Sequence, residues 1–174
     1  MIAKVKGVIE RRAVLVGKLH DVDCAVRGNE SSPAGDFLDA LKSGKWDRAD
    51  SDLPADEQIS DYHWFLTAIK HWANTGEPIY RHAAKHLDDG VWEFRHSDKR
   101  LTFYDTDGKG GYIAKLPIAD HAQAEVPDSQ YWEIPMFDEQ IRLGHAFTKV
   151  GQKTPKKDLE AMKAVREEDL AHDR

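Results

Sequence analysis

The chain has 174 residues, 40% of them hydrophobic and 32% charged, with a formal net charge of -6. This composition fits one soluble globular domain with a real core and excludes a disordered chain. The net acidity excludes a protein that holds nucleic acid through a whole basic face, so any such contact has to be local.

No apolar run approaches the ~20 residues of a membrane helix. The basic N-terminus, "MIAKVKGVIERRAVLVGKLHD", has its apolar residues broken by charges, unlike a signal peptide. The single cysteine, Cys24, forms no internal disulfide framework and suits a reducing, cytoplasmic setting. No membrane contact and no cofactor or metal is expected.

Residues 1–20 read as an N-terminal extension with a strand over Ala13–Leu19, ahead of a single domain over 21–174. In "DVDCAVRG", Val22, Cys24 and Val26 alternate with polar residues, the pattern of a half-buried strand. After the loop "GNESSP", Ser32 is a natural N-cap and Pro33 a natural first helical residue. Ala34, Phe37, Leu38 and Leu41 then fall on one helical face. A second helix is predicted from near Pro54 to Asn74, with Gly76 in the left-handed terminal position. Its inward stripe reads Ile59, Tyr62, Leu66, Ile69 and Ala73, flanked by Phe65 and Trp72.

Beyond it, "RHAAKH" sets His82 and His86 four apart, a spacing that can ligate zinc on a helix, but without the carboxylates or cysteines to complete a set. Val91–His96 and Arg100–Gly108 are aromatic and β-branched runs separated by "SDK", a hairpin signature. "DTDGKGG" superficially resembles an ion or phosphate loop but lacks the downstream Glu and the Gly-Lys-Ser/Thr order, so it reads as a turn. Residues 110–139 form an irregular insertion with three prolines and a strand expected at Tyr112–Leu116. A last strand, Ile141–Val150, leads to a closing helix with Thr154 as N-cap, Pro155 first, and Leu159, Met162 and Val165 inward. The order gives an α+β fold: a small, mostly antiparallel sheet with two N-terminal helices on one face and a C-terminal helix.

Charge is segregated along this order. Asp47–Asp61 is rich in acids, whereas Ile141–Lys157 holds Arg142, Lys149, Lys153, Lys156 and Lys157 with no Asp or Glu. Lys156 and Lys157 sit at a helix start, where the dipole prefers acids. Their retention there suggests an anionic partner.

The hairpin "GVWEFRHSDKRLTFYD" and the junction "IRLGHAFTKVGQKTPKKDLEAMK" resemble the phage-derived, HigB-like branch of the RelE/ParE toxin superfamily. That branch shows a "GLWELR" strand, an Arg-led second strand, and a "QKTP" strand-to-helix junction. "SSPAGDFLDAL" is similar to its "SPVxEFLxxL" helix, so the likeness spans Asp21–Ala171. The extension, the loop at Lys42–Leu53 and the insertion depart from the family pattern. The resemblance implies a RelE-like fold and the toxin of a type II toxin–antitoxin system. Such a toxin is a ribosome-dependent mRNA endonuclease (mRNA interferase), silenced by a helix-turn-helix, HigA-like antitoxin.

Cleaving RNA without a metal requires in-line alignment of the 2′-hydroxyl, a proton acceptor, and cations for the charge building on phosphate. Arg95 and Arg100 suit the phosphate because a guanidinium grips two oxygens, with Lys149 and Lys153 in support. His145 is the first candidate for proton transfer and Tyr104 the second. Arg142, Gln152, Thr154, Lys156 and Lys157 are candidate RNA contacts. Structural roles compete with these: Arg95 as partner of Glu93, His145 as a satisfied core histidine, and the lysines as a solvated helix start. Two other functions stay open on the same fold, a non-nucleolytic toxin that inhibits gyrase and a non-enzymatic binding protein.

Overall fold

The computed structural model of the protein describes residues 9–46 and 54–174. Its elements are β1 (Ala13–Val16), β2 (Asp21–Cys24), α1 (Pro33–Lys42), α2 (Ala55–Thr75), β3 (Ala84–Asp88), β4 (Val91–His96), β5 (Lys99–Thr106), β6 (Gln140–Thr148) and α3 (Lys156–Ala171). A three-residue 3-10 turn at His121–Gln123 lies between β5 and β6.

One six-stranded sheet runs β1-β2-β6-β5-β4-β3. β2 and β6 pair in parallel and the other neighbours antiparallel. The sheet is therefore mixed, which corrects the expectation of a mostly antiparallel one. Parallel neighbours need a long crossover, and here everything from α1 to the insertion lies between the two strands.

Period two sorts the sheet into faces. Phe37, Leu38 and Leu41 of α1 and Phe65, Ile69 and Trp72 of α2 share one core with Trp92, Phe94, Leu101, Phe103, Ile141 and Leu143. The opposite face carries a smaller cluster in which Val91 and Tyr104 meet Met162, Val165 and Leu170 of α3. Trp72 anchors the first core, with its ring against those of Trp92, Phe94, Phe103 and Phe137.

Local signals hold at several ends. The Ser32 side chain accepts from the Gly35 N–H, with Pro33 opening α1. Gly76, at φ 74°, closes α2 with its N–H on the Trp72 carbonyl. The α2 stripe is rotated from the expected one: Phe65, Ala68, Ile69 and Trp72 face inward, and Ile59 is 39% exposed. The large aromatic rings take the sheet-facing positions because they bury the most area.

Three further expectations change. The strand expected in the extension pairs with β2 but ends at Val16 rather than Leu19. β3 was not foreseen: His86 lies in this strand and His82 precedes it at φ 72°, so the two are no helical pair. Tyr112–Leu116 is not a strand.

The insertion instead straps the sheet. Tyr112 donates its hydroxyl to the Asp89 carbonyl at 2.6 Å, and Trp92 Nε1 donates to the Lys115 carbonyl at 2.7 Å. It passes the β3–β4 turn so closely that a Cβ on Gly90, at φ 76°, would meet Ala114 Cα at 2.4 Å. Tyr131, Ile134 and Phe137 then join the α1–α2 core. Among the described residues, no helix is long and apolar enough to cross a membrane.

Candidate functional site

The α3 face of the sheet holds two charged groupings. At one end β4 and β5 pair Arg95 directly with Arg100, β3 sets Lys85 opposite Glu93, and Arg100 faces Phe147 of β6. Like charges opposite each other across strands repel, so the arginine pair needs an anion nearby. Glu93 lies between them: its Oε1 is 3.8 Å from Arg95 Nε and 3.7 Å from Arg100 Nε. Both distances exceed hydrogen-bond reach. Glu93 Oε2 and the two arginine Nε atoms are buried with no hydrogen-bond partner among the described residues. Unmade bonds of this kind cost about 1–3 kcal/mol per buried group, and a fold that tolerates several in one place points to a function there.

Burial raises the Glu93 carboxyl above its ordinary pKa, against the pull of Arg100, Arg95, Lys149 and Lys85. Burial also lowers that of Arg100, with Glu93 opposing. Arg100 Nη1 donates to the carbonyls of Ser97 at 2.8 Å and Lys99 at 2.9 Å, which fixes its fork at the hairpin turn. A pocket of about 240 Å³ opens over the grouping, lined by Lys85, Glu93, Arg95, Lys149, Gln152 and Thr154 among others. The structure therefore brings together Arg95, Arg100, Lys149, Gln152 and Thr154 of the sequence candidates.

Tyr104 and Arg142 lie elsewhere. Both reach Asp169 Oδ2 of α3, at 2.6 and 2.7 Å. Burial and the neighbouring Asp169 push the Tyr104 hydroxyl well above its ordinary pKa. Burial opposes the Asp169 charge, but Arg142, Tyr104, Arg11 and the Val26 N–H together hold its carboxyl below the ordinary value.

A bulge explains why Arg142 points this way. Thr102 of β5 faces both Gly144 and His145 of β6, because Leu101 pairs with Ala146 and Phe103 with Leu143. The extra residue resets the alternation, so Arg142 and His145 both turn toward α3. His145 Nε2 meets Asp158 Oδ1 at 2.9 Å, and its ring stacks on Phe147 at 5.5 Å.

The α3 start also differs from expectation. Pro155, not Thr154, occupies the cap position, with no side-chain cap bond. Buried Asp158 supplies the acid that the dipole favours in the first turn. Lys153, Lys156 and Lys157 are exposed, and Lys156 approaches Glu160 at 3.8 Å.

Glu93 and Lys85 are the site residues that sequence reasoning passed over. Period two already placed Glu93 beside Arg95, where it read as the arginine's structural partner; Lys85 was hidden with the unforeseen β3. No family model matches the chain, and a search of curated proteins finds no match.

Proposed function

We propose that the chain is the toxin of a type II toxin–antitoxin pair, RelE-like in fold, which cleaves messenger RNA on the ribosome in the cytoplasm. The observation that carries this reading is the open pocket lined by Glu93, Arg95 and Lys149, beside which Arg100 Nε lies 3.7 Å from Glu93 Oε1 while Glu93 Oε2 has no hydrogen-bond partner among the described residues. Glu93, rather than His145, takes the proton of the 2′-hydroxyl. The 2′-oxygen attacks phosphorus, and the arginines and Lys149 hold the non-bridging oxygens. The bond from phosphorus to the 5′-oxygen breaks, and that oxygen takes a proton from the Lys85 or Lys149 ammonium. The products are a 2′,3′-cyclic phosphate and a 5′-hydroxyl. A local basic patch on an acidic chain binds free RNA weakly, which suits alignment by the ribosome. A helix-turn-helix antitoxin of the HigA type is the expected silencing partner.

The test is induced expression in a bacterial host, with growth followed and message 5′ ends mapped by primer extension. Growth arrest with new in-frame cleavage sites, both lost in Lys149→Ala and Arg100→Ala, supports the reading. Arrest without cleavage replaces it with a non-nucleolytic toxin such as a gyrase inhibitor. No arrest and no cleavage leaves a binding protein.

A further inference from the structure

A second pocket lies on the other side of the edge strand β3, between that strand and the insertion. It has a volume of about 320 Å³, at the small end of the ~300–1,000 Å³ typical of ligand sites. It shares Lys85 and His86 with the pocket over Glu93. Its walls include Trp92, Tyr131 and Ile134, all buried. The indole N–H of Trp92 is already taken by the Lys115 carbonyl, so the ring offers only its apolar surface.

Five polar side chains sit on these walls, Arg81, His82, Lys85, His86 and Glu133, and three of them have contacts that orient them. Arg81 lies over the Tyr131 ring at 5.3 Å, pairs with Glu133 Oε1 at 2.8 Å and donates to the Gln130 carbonyl at 2.7 Å. This pins one rim and leaves the other Glu133 oxygen to accept. His86 Nε2 accepts the Gly90 N–H at 3.1 Å. That bond puts the ring proton on Nδ1, where no acceptor meets it among the described residues. Burial, the main cause, lowers the His86 pKa against the pull of Asp88 and Asp89.

We infer that this pocket takes a nucleobase of the RNA whose phosphate is held over Glu93. An apolar slot whose rim carries donors and an acceptor fits a heterocycle. Lys85 and His86 line both pockets, which lie on either side of the edge strand β3, so one RNA chain wrapping that edge would set its base in one and its phosphate in the other. The inference rests on the ribonuclease reading, and it assigns to the insertion half of a substrate subsite.

The test uses the full chain and a short single-stranded RNA, 2′-O-methylated so that it cannot be cut, beside the same oligomer with an abasic residue. Anisotropy titration should show at least tenfold tighter binding of the base-bearing oligomer. That advantage should disappear in His86→Ala and Arg81→Ala, whereas Lys149→Ala should weaken both oligomers alike. With the wild-type chain, a 4-thiouridine in the base-bearing position should photo-crosslink to peptides containing Trp92 or Tyr131. Equal binding of the abasic oligomer, or crosslinks confined to other peptides, overturns the base pocket and leaves the ribonuclease reading standing. A nucleoside monophosphate binding as tightly as the oligomer overturns RNA as the source of the base. Failure of both oligomers to bind even at low ionic strength, where weak phosphate contacts are strongest, overturns the phosphate site and the base pocket with it.

Discussion

Asp169 and Glu93 are both buried carboxylates on the α3 side of the sheet, 0% and 3% exposed. Asp169 accepts from Arg11 Nε at 2.8 Å, Arg142 Nη1 at 2.7 Å, the Tyr104 hydroxyl at 2.6 Å and the Val26 N–H at 2.9 Å. Glu93 has two arginines at 3.7 and 3.8 Å and an oxygen with no hydrogen-bond partner among the described residues. The first arrangement ties the segment before β1, the segment after β2, β5 and β6 to α3, and both oxygens of its carboxylate are bonded, although Arg142 Nε has no partner among the described residues. The second holds its charges just out of bonding range beside an open pocket. Buried charge by itself does not mark a site; unmade bonds beside an open pocket do.

The largest effect expected from this contrast is on activity. Glu93→Gln removes the proton acceptor and should lower cleavage by about 10²–10⁴-fold, with thermal stability unchanged or raised. A variant that cleaves normally would show that the open carboxylate is idle. Asp169→Asn should do the reverse. Removing one partner of a buried ion pair costs up to about 3–5 kcal/mol, to be read as a lower denaturant midpoint, because Arg142 and Arg11 lose the Asp169 charge and keep only Asp173.

The two carboxyls also predict opposite pH trends. The Asp169 carboxyl is held below its ordinary pKa, so its stabilisation is present above the unfolded value and lost as pH falls through the lower folded one. Burial raises the Glu93 carboxyl, so relative stability is greatest while it is protonated and falls as pH climbs from the unfolded value through the folded one. Wild type and Glu93→Gln should therefore diverge in stability above the ordinary carboxylate range. The acid limb of the cleavage rate should lie in that same raised window. A limb at the ordinary glutamate value would sink the assignment of Glu93 as base.

Much of the frame was legible because its signals are local. The Ser32-Pro33 start, the Gly76 stop and the β4–β5 hairpin each depend on a few adjacent residues. Long-range pairings were not legible. β3 reads "AKHLD", with little β propensity, and is a strand because β4 offers it an edge. The Gly144–His145 bulge shows only in the register, yet it decides that Arg142 faces Asp169. Arg95, Arg100 and Lys149 were picked out from motif and alternation. Glu93 was visible on the same face, but its missing partners are a property of distances.

The smallest effects sharpen the boundary of each grouping. Tyr104→Phe deletes one hydrogen bond to a charged acceptor, a change of about 1.5–3 kcal/mol in stability. Cleavage per folded molecule should be unaltered, since the Tyr104 hydroxyl is spent on Asp169. Lys156→Ala lies at the other limit. Its side chain is 89% exposed and its contact with Glu160 is a loose surface pair at 3.8 Å. Surface changes of this kind stay within about 0.5 kcal/mol, so stability should not move. If Lys156 contacts RNA, the variant should instead flatten the salt dependence of binding by about one phosphate contact while keeping the base preference. A Lys156→Ala chain with an unchanged salt slope would confine the RNA surface to the pocket over Glu93 and leave the α3 start as a solvated helix end.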